Sequence, residues 1–149
     1  MTHAVPEFTI EQLEAQRTID AESFTTDDAV TLGLLAVDVI REWDVSLCVD
    51  IVLGDDLVFR AKLRDTGPGN DPWLAGKAAV VRQFGEASLL VKCRQQAAGT
   101  LADTDTLRFH GGSIPIRVRG EIVGTITMSG EPDAVDHEAS NEAVQRFLG

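Results

Sequence analysis

The sequence is poor in the residues from which catalytic and metal sites are usually assembled. Its two cysteines, Cys48 and Cys93, fall inside a predicted strand and a predicted helix, where they read as buried thiols of a reducing compartment and not as a structural disulfide. The three histidines, His3, His110 and His137, are scattered, so no His/Cys cluster stands at metal-ligand spacing. Spacing supports no nucleophile elbow and no Ser/His/Asp arrangement. No segment approaches the roughly 20 apolar residues of a membrane span, and the opening Met1-Thr2-His3-Ala4-Val5-Pro6-Glu7 has neither a basic leader nor an apolar stretch. Basic residues are also scarce: 13 stand against 24 acidic ones, a net charge of −11 that repels phosphate backbones and anionic head groups. Nucleic acid and membrane are therefore not expected as partners, and a cytoplasmic location is expected.

What is present suits one packed domain. A chain of 149 residues can bury a core without disulfides or metals, so residues 1–149 are expected to form a single domain with a loose tail over 1–8. A short amphipathic helix is predicted from Thr9 to Arg17, then a linker from Asp20 to Thr25. Thr26 is the expected N-cap of the first core helix, with Asp27 and Asp28 at its positive end and Leu32, Leu35, Ala36, Val39, Ile40 and Trp43 at helical spacing.

Ser46 to Leu53 and Leu57 to Leu63 alternate as a hairpin. Parity of the two apolar faces pairs Ile51 with Phe59 and Leu53 with Leu57 across an odd loop, Gly54-Asp55-Asp56, and places Asp50 opposite Arg60. Asp71 is the expected cap of a helix that starts at Pro72 and ends before Gly85. A further helix runs from Glu86 to Ala98 and is closed by Gly99, followed by an acidic loop from Thr100 to Thr106. A second hairpin follows from Ser113, turning at Gly120 into Glu121 to Met128, and Pro132 opens a last helix with Val135, Ala139, Ala143 and Phe147 at every fourth position. Helix, hairpin, two helices, hairpin, helix predicts an antiparallel sheet of four or five strands with helices on both faces, neither hairpin having an obviously polar side.

Two segments carry possible chemistry. In Gly67 to Lys77, two glycines precede a helix N-terminus, with Asn70 as donor and Lys77 as charge, so the stretch reads either as a capped turn or as a site for a carboxylate or small anion. It is neither a phosphate loop nor a dinucleotide fingerprint. Trp73 either stacks on a planar ligand or packs under the turn. In His110-Gly111-Gly112-Ser113-Ile114-Pro115-Ile116-Arg117, the glycines allow close backbone approach, His110 is ionisable and Arg117 can pair with a carboxylate; the plainer reading is a glycine bulge at an edge strand. His137, between Asp136 and Glu138, is expected to be exposed.

Gly69-Asn70-Asp71-Pro72-Trp73 with Lys77, His110-Gly111-Gly112 leading into Ile114-Pro115-Ile116-Arg117-Val118, Val123 through Gly130, and Asp136-His137 together resemble the uncharacterised protein family 0303 group of the haem-degrading-domain, or GlcG-like, superfamily, in order over roughly Thr25 to Leu148. The resemblance implies a profilin-like α+β fold of three layers, with a five-stranded antiparallel sheet between helices, and assembly into homo-oligomers. Asn70, Asp71, Trp73, Lys77, His110, Gly111, Gly112, Pro115 and Arg117 match its polar motifs and become the candidate ligand-binding residues. One departure stands out: the pattern commonly places a basic residue before the lysine, and this chain has Gly76. The first functional expectation is a protein that binds a small ligand, haem or another tetrapyrrole or a small anionic metabolite, with His110 as axial ligand and Lys77 and Arg117 at the propionates. The alternatives are a non-catalytic assembly protein and a hydrolase or isomerase of a small organic acid using His110 as base.

Overall fold

The structure, a computed structural model, describes residues 3–149. Its elements run α1 (Ile10–Ala15), β1 (Ile19–Ala21), α2 (Thr26–Trp43), β2 (Cys48–Leu53), β3 (Asp56–Lys62), a 3-10 turn over Pro68–Asn70, α3 (Asp71–Phe84), α4 (Ser88–Ala98), β4 (Ser113–Val118), β5 (Glu121–Ser129) and α5 (Asp133–Leu148). The strands form one five-stranded sheet in the order β1-β4-β5-β2-β3. Three of its four pairings are antiparallel, as expected, but β1 joins β4 in parallel, Ile19 opposite Ile116. The fifth strand comes from the stretch read as a linker. At three residues it is too short to show an alternating pattern, and the edge of β4 recruits it through backbone bonds.

Strand alternation splits the sheet into two unlike faces. Val49, Ile51, Ile114, Ile116, Ile126 and Met128 join Leu32, Ala36, Val39 and Ile40 of α2 and Ala139, Ala143 and Val144 of α5 in the main core. The other face, towards α3 and α4, carries Asp50, Ser113, Thr125 and Thr127, all buried. This face is polar, contrary to expectation. Short residues hide it in the sequence. Ser113 Oγ lies 2.9 Å from Thr127 Oγ1, the Ser113 amide donates to Ser88 Oγ and Arg60 holds Asp50, whereas Thr125 Oγ1 has no partner among the described residues. Burial pushes the Cys48 thiol up to about 11, so it is inert at neutral pH.

Several local boundaries moved for identifiable reasons. Thr25, not Thr26, caps α2, because its hydroxyl accepts from the Asp28 amide while Asp28 accepts from the Thr25 amide, a complete capping box. In the first hairpin Asp50 faces Arg60 and Ile51 faces Phe59 as parity predicts, but Val52 then faces Leu57 and Leu53 faces Asp56. Val58 is the extra residue of a β-bulge, which leaves a two-residue turn, Gly54-Asp55, with Gly54 at φ 59°. The tail is docked and not loose over its described part: His3 stacks on Trp43 at 4.6 Å and bonds Glu138, and Phe8 meets the edge of His137.

Candidate functional site

Three buried contacts bring the two candidate segments together. Lys77, on the sheet side of α3, donates to Asp136 Oδ2 at 2.8 Å and to the Met128 carbonyl at 3.0 Å. Its side chain is 3% exposed and that of Asp136 2% exposed. Asp136 also accepts from the Glu131 amide. Gly112, at φ 134°, fits between them: a Cβ there would lie 2.3 Å from the Met128 carbonyl and 3.1 Å from Lys77 Nζ. Its own carbonyl accepts from the Met128 amide and from Ser140 Oγ. Gly111 donates to Asp133 Oδ2, which Lys92 also holds. These bonds tie α3, β5, α5 and the 110–112 segment to one point and so place His110.

Above this point opens a cleft of about 350 Å³ lined by Asn70, Trp73, Lys77, His110, Ser129, Gly130, Glu131, Asp133 and Asp136. Trp73 forms one wall. Its ring meets His110 edge-on at 5.3 Å, and the Arg108 guanidinium sits 4.4 Å over it. His110 Nε2 lies 2.7 Å from Asp103 Oδ2, and Nδ1 lies 3.8 Å from Asp133 Oδ2. Asn70 accepts from the Gly67 amide and reaches Ser129 Oγ at 3.4 Å. Burial drives the Asp136 carboxyl up to about 6 even with Lys77 beside it, so that carboxyl is mostly ionised at neutral pH. Burial pushes Asp133 the same way, but Lys92 and the Gly111 amide outweigh it and leave that carboxyl lowered.

Profile comparison assigns residues 24–145 to the family described as haem degrading protein HbpS-like. The chain belongs to the haem-degrading HbpS-like family. It is 40% identical to a UPF0303 protein of Streptomyces coelicolor over 95% of this chain and 94% of that one, and 40% identical to a UPF0303 protein of Streptomyces avermitilis over 99% and 96%. Its fold is similar to the crystal structure of Ybr137w (TM-score 0.82, 23% identity, 95% of this chain and 88% of that one). It is also similar to the PduOC:heme complex (TM-score 0.70, 18% identity, 83% and 94%). No helix among the described residues is long and apolar enough to cross a membrane.

In this HbpS-like chain the candidate residues divide. Asn70, Trp73, Lys77 and His110 share the cleft. Gly111 and Gly112 are buried behind it as spacers. Asp71 turns away: it is the first residue of α3 and not its cap, and it accepts from Lys62 at 2.7 Å with Arg60 at 3.6 Å. Pro115 and Arg117 line a different depression near Gln16 and Leu90, where Arg117 donates to the Gly85 carbonyl. The reason is distance along an extended strand: Ser113, Pro115 and Arg117 share one face of β4, but at about 3.3 Å per residue Arg117 stands near the far end of the strand from Gly112 and His110. His137 is not exposed; it is 1% accessible, with Nε2 2.8 Å from Gln16 Oε1, and burial pulls it down to about 4.

Ser129, Gly130, Glu131, Asp133 and Asp136 line the cleft and were not among the candidates. A signal for Asp136 existed: Ser140, Ala143 and Val144 stand four, seven and eight residues on, so it lies at one edge of the buried stripe of α5. Gly76 also finds its reason. A Cβ there would lie 2.1 Å from Arg108 Cγ, so the missing side chain lets the Arg108 stem cross α3 and reach Trp73.

Proposed function

We propose that the chain is a small-ligand-binding protein whose ligand enters the cleft between Trp73 and His110. The observation that supports this is convergence: Asn70, Trp73 and Lys77 come from one segment and His110 from another, and they line one open cleft. Motif residues that served only assembly would need no such space.

Haem is the ligand class to which the similar PduOC:heme complex points, and the donor set fits it in part. His110 is the imidazole on the cleft. Asp103 beside Nε2 favours the proton on that nitrogen and leaves Nδ1, on the Asp133 side, free to hold a metal. Trp73 offers ring surface. Bound haem would supply the redox chemistry, and the residues of the chain would orient and enclose it. The propionate partners expected earlier do not fit: Lys77 is committed to Asp136 and Arg117 lies elsewhere. Arg108, on the Trp73 ring, is the cation placed to meet an acidic substituent. Glu131, Asp133 and Asp136 against Lys77 make the lining net negative, which disfavours a bare small anion as ligand and an organic acid as substrate.

The test is a haem titration of the purified chain read in the Soret band. A saturable shift that His110→Ala weakens by about tenfold, or about 1.4 kcal/mol, supports the proposal. No shift, or a shift that His110→Ala leaves unchanged, removes haem.

A further inference from the structure

The sheet's polar face is covered unevenly. α3 lies over β4 and β5, and leaves the β2–β3 hairpin without a helix above it on that side. Where α3 stops short, a second hollow of about 260 Å³ opens between helix and hairpin, walled by Leu74, Ala75 and Ala78 of α3 and by Val52 and Leu57 of the hairpin. It shares no lining residue with the Trp73–His110 cleft.

The polar groups at its floor are already spent. Asp50 accepts two bonds from Arg60, at 2.7 and 2.8 Å, and the Thr127 hydroxyl faces Ser113. The interior therefore offers apolar surface, and Leu57 stands 43% exposed at its edge. The lip differs. Asp55 in the hairpin turn and Arg82 on α3 both line the hollow and are exposed, and neither has an ion-pair partner among the described residues. An apolar hollow with one free charge of each sign at its mouth matches a ligand with an apolar stem and both charges at one end. A simple fatty carboxylate would meet Asp55, and a simple amine would meet Arg82.

We propose that this hollow binds a free apolar α-amino acid, its carboxylate on Arg82, its ammonium on Asp55, and its side chain against Leu57, Leu74 and Ala78. The volume suits one branched aliphatic side chain. Since both charged contacts lie in solvent, each contributes selectivity of about fivefold and the buried stem supplies the rest.

The experiment is a calorimetric titration of the full chain with leucine, leucinamide and 4-methylpentanoate, the last two lacking one charge each. Leucine is expected to bind one to one, with each analogue about fivefold weaker. Arg82→Gln should bind leucine and leucinamide alike, and Asp55→Asn should bind leucine and 4-methylpentanoate alike. Ala75→Phe, at an exposed helix position, should fill the hollow and abolish binding of all three. Equal binding of the three by the wild type, no leucine binding, or leucine binding that survives Ala75→Phe each overturns the proposal. If leucine fails and Ala75→Phe dissociates an oligomer in sedimentation, the hollow instead seats a second copy. No outcome here bears on the haem titration, because no residue is shared.

Discussion

Lys77→Met removes the ammonium that ties α3 to β5 and α5, and its cost can be worked from what it leaves behind. The Met128 carbonyl loses a donor and Asp136 becomes a buried carboxylate with only the Glu131 amide for company. Breaking one side of a buried pair costs about 3–5 kcal/mol. The cost depends on pH in a definite sense. Asp136 already titrates near 6 with Lys77 present, and without that charge its carboxyl rises further. Between the variant's value and about 6 the variant holds a proton that the wild type does not. The penalty therefore shrinks as pH falls through that window, by up to about 1.4 kcal/mol per pH unit. Below about 6 both carboxyls are protonated and the difference levels off. Urea unfolding followed by circular dichroism at pH 8, 7, 6 and 5 measures this. A penalty under about 1 kcal/mol, or one that does not change with pH, would show that the pair neither holds the fold nor carries the buried charge assigned to it.

His137 and Asp136 are neighbours whose titrations oppose each other. His137, pulled from 6.5 to about 4, contributes stability above pH 6.5 that is lost as pH falls towards 4. Asp136, raised from 3.8 to about 6, contributes stability that is full below 3.8 and lost as pH rises through 6. Each amounts to about 3 kcal/mol, so the wild type should vary little from these two groups between pH 4 and 6, whereas His137→Gln should gain stability on acidification over that range; urea midpoints against pH decide it, and parallel curves would refute it. Gly112→Ala should lower stability by at least about 2 kcal/mol, since its φ is 134° and the clash is with backbone, the Met128 carbonyl at 2.3 Å. A thermal melt within a degree of wild type would contradict that placement.

Much of the fold was legible locally. Helices α2 to α5 follow from apolar spacing, and Gly85 and Gly99 at φ 77° and 72° end two of them as their positions imply. The Asp50–Arg60 pair followed from parity alone and is present as a bidentate contact. Strand β1 was not legible, because three residues hold too little pattern and its stability comes from β4. The burial of His137 was hidden for a similar reason: flanking acids suggest solvent, and only the docking of α1 and Phe8 covers the ring.

By itself the sequence determined the element types, the two apolar faces that meet in the main core, the family, and the segments that hold Trp73 and His110, because these depend on spacing and residue type within a short stretch of chain. Only the tertiary structure decided which motif residues meet. Lys77 and Asp136 are 59 positions apart and are matched through the Gly112 gap. Arg117, seven residues from His110, is carried to the far end of β4 by the extended strand between them and lines another depression. Proximity along a strand does not put side chains in one site. A buried charge does, because it must find its counter-charge wherever the fold has put it.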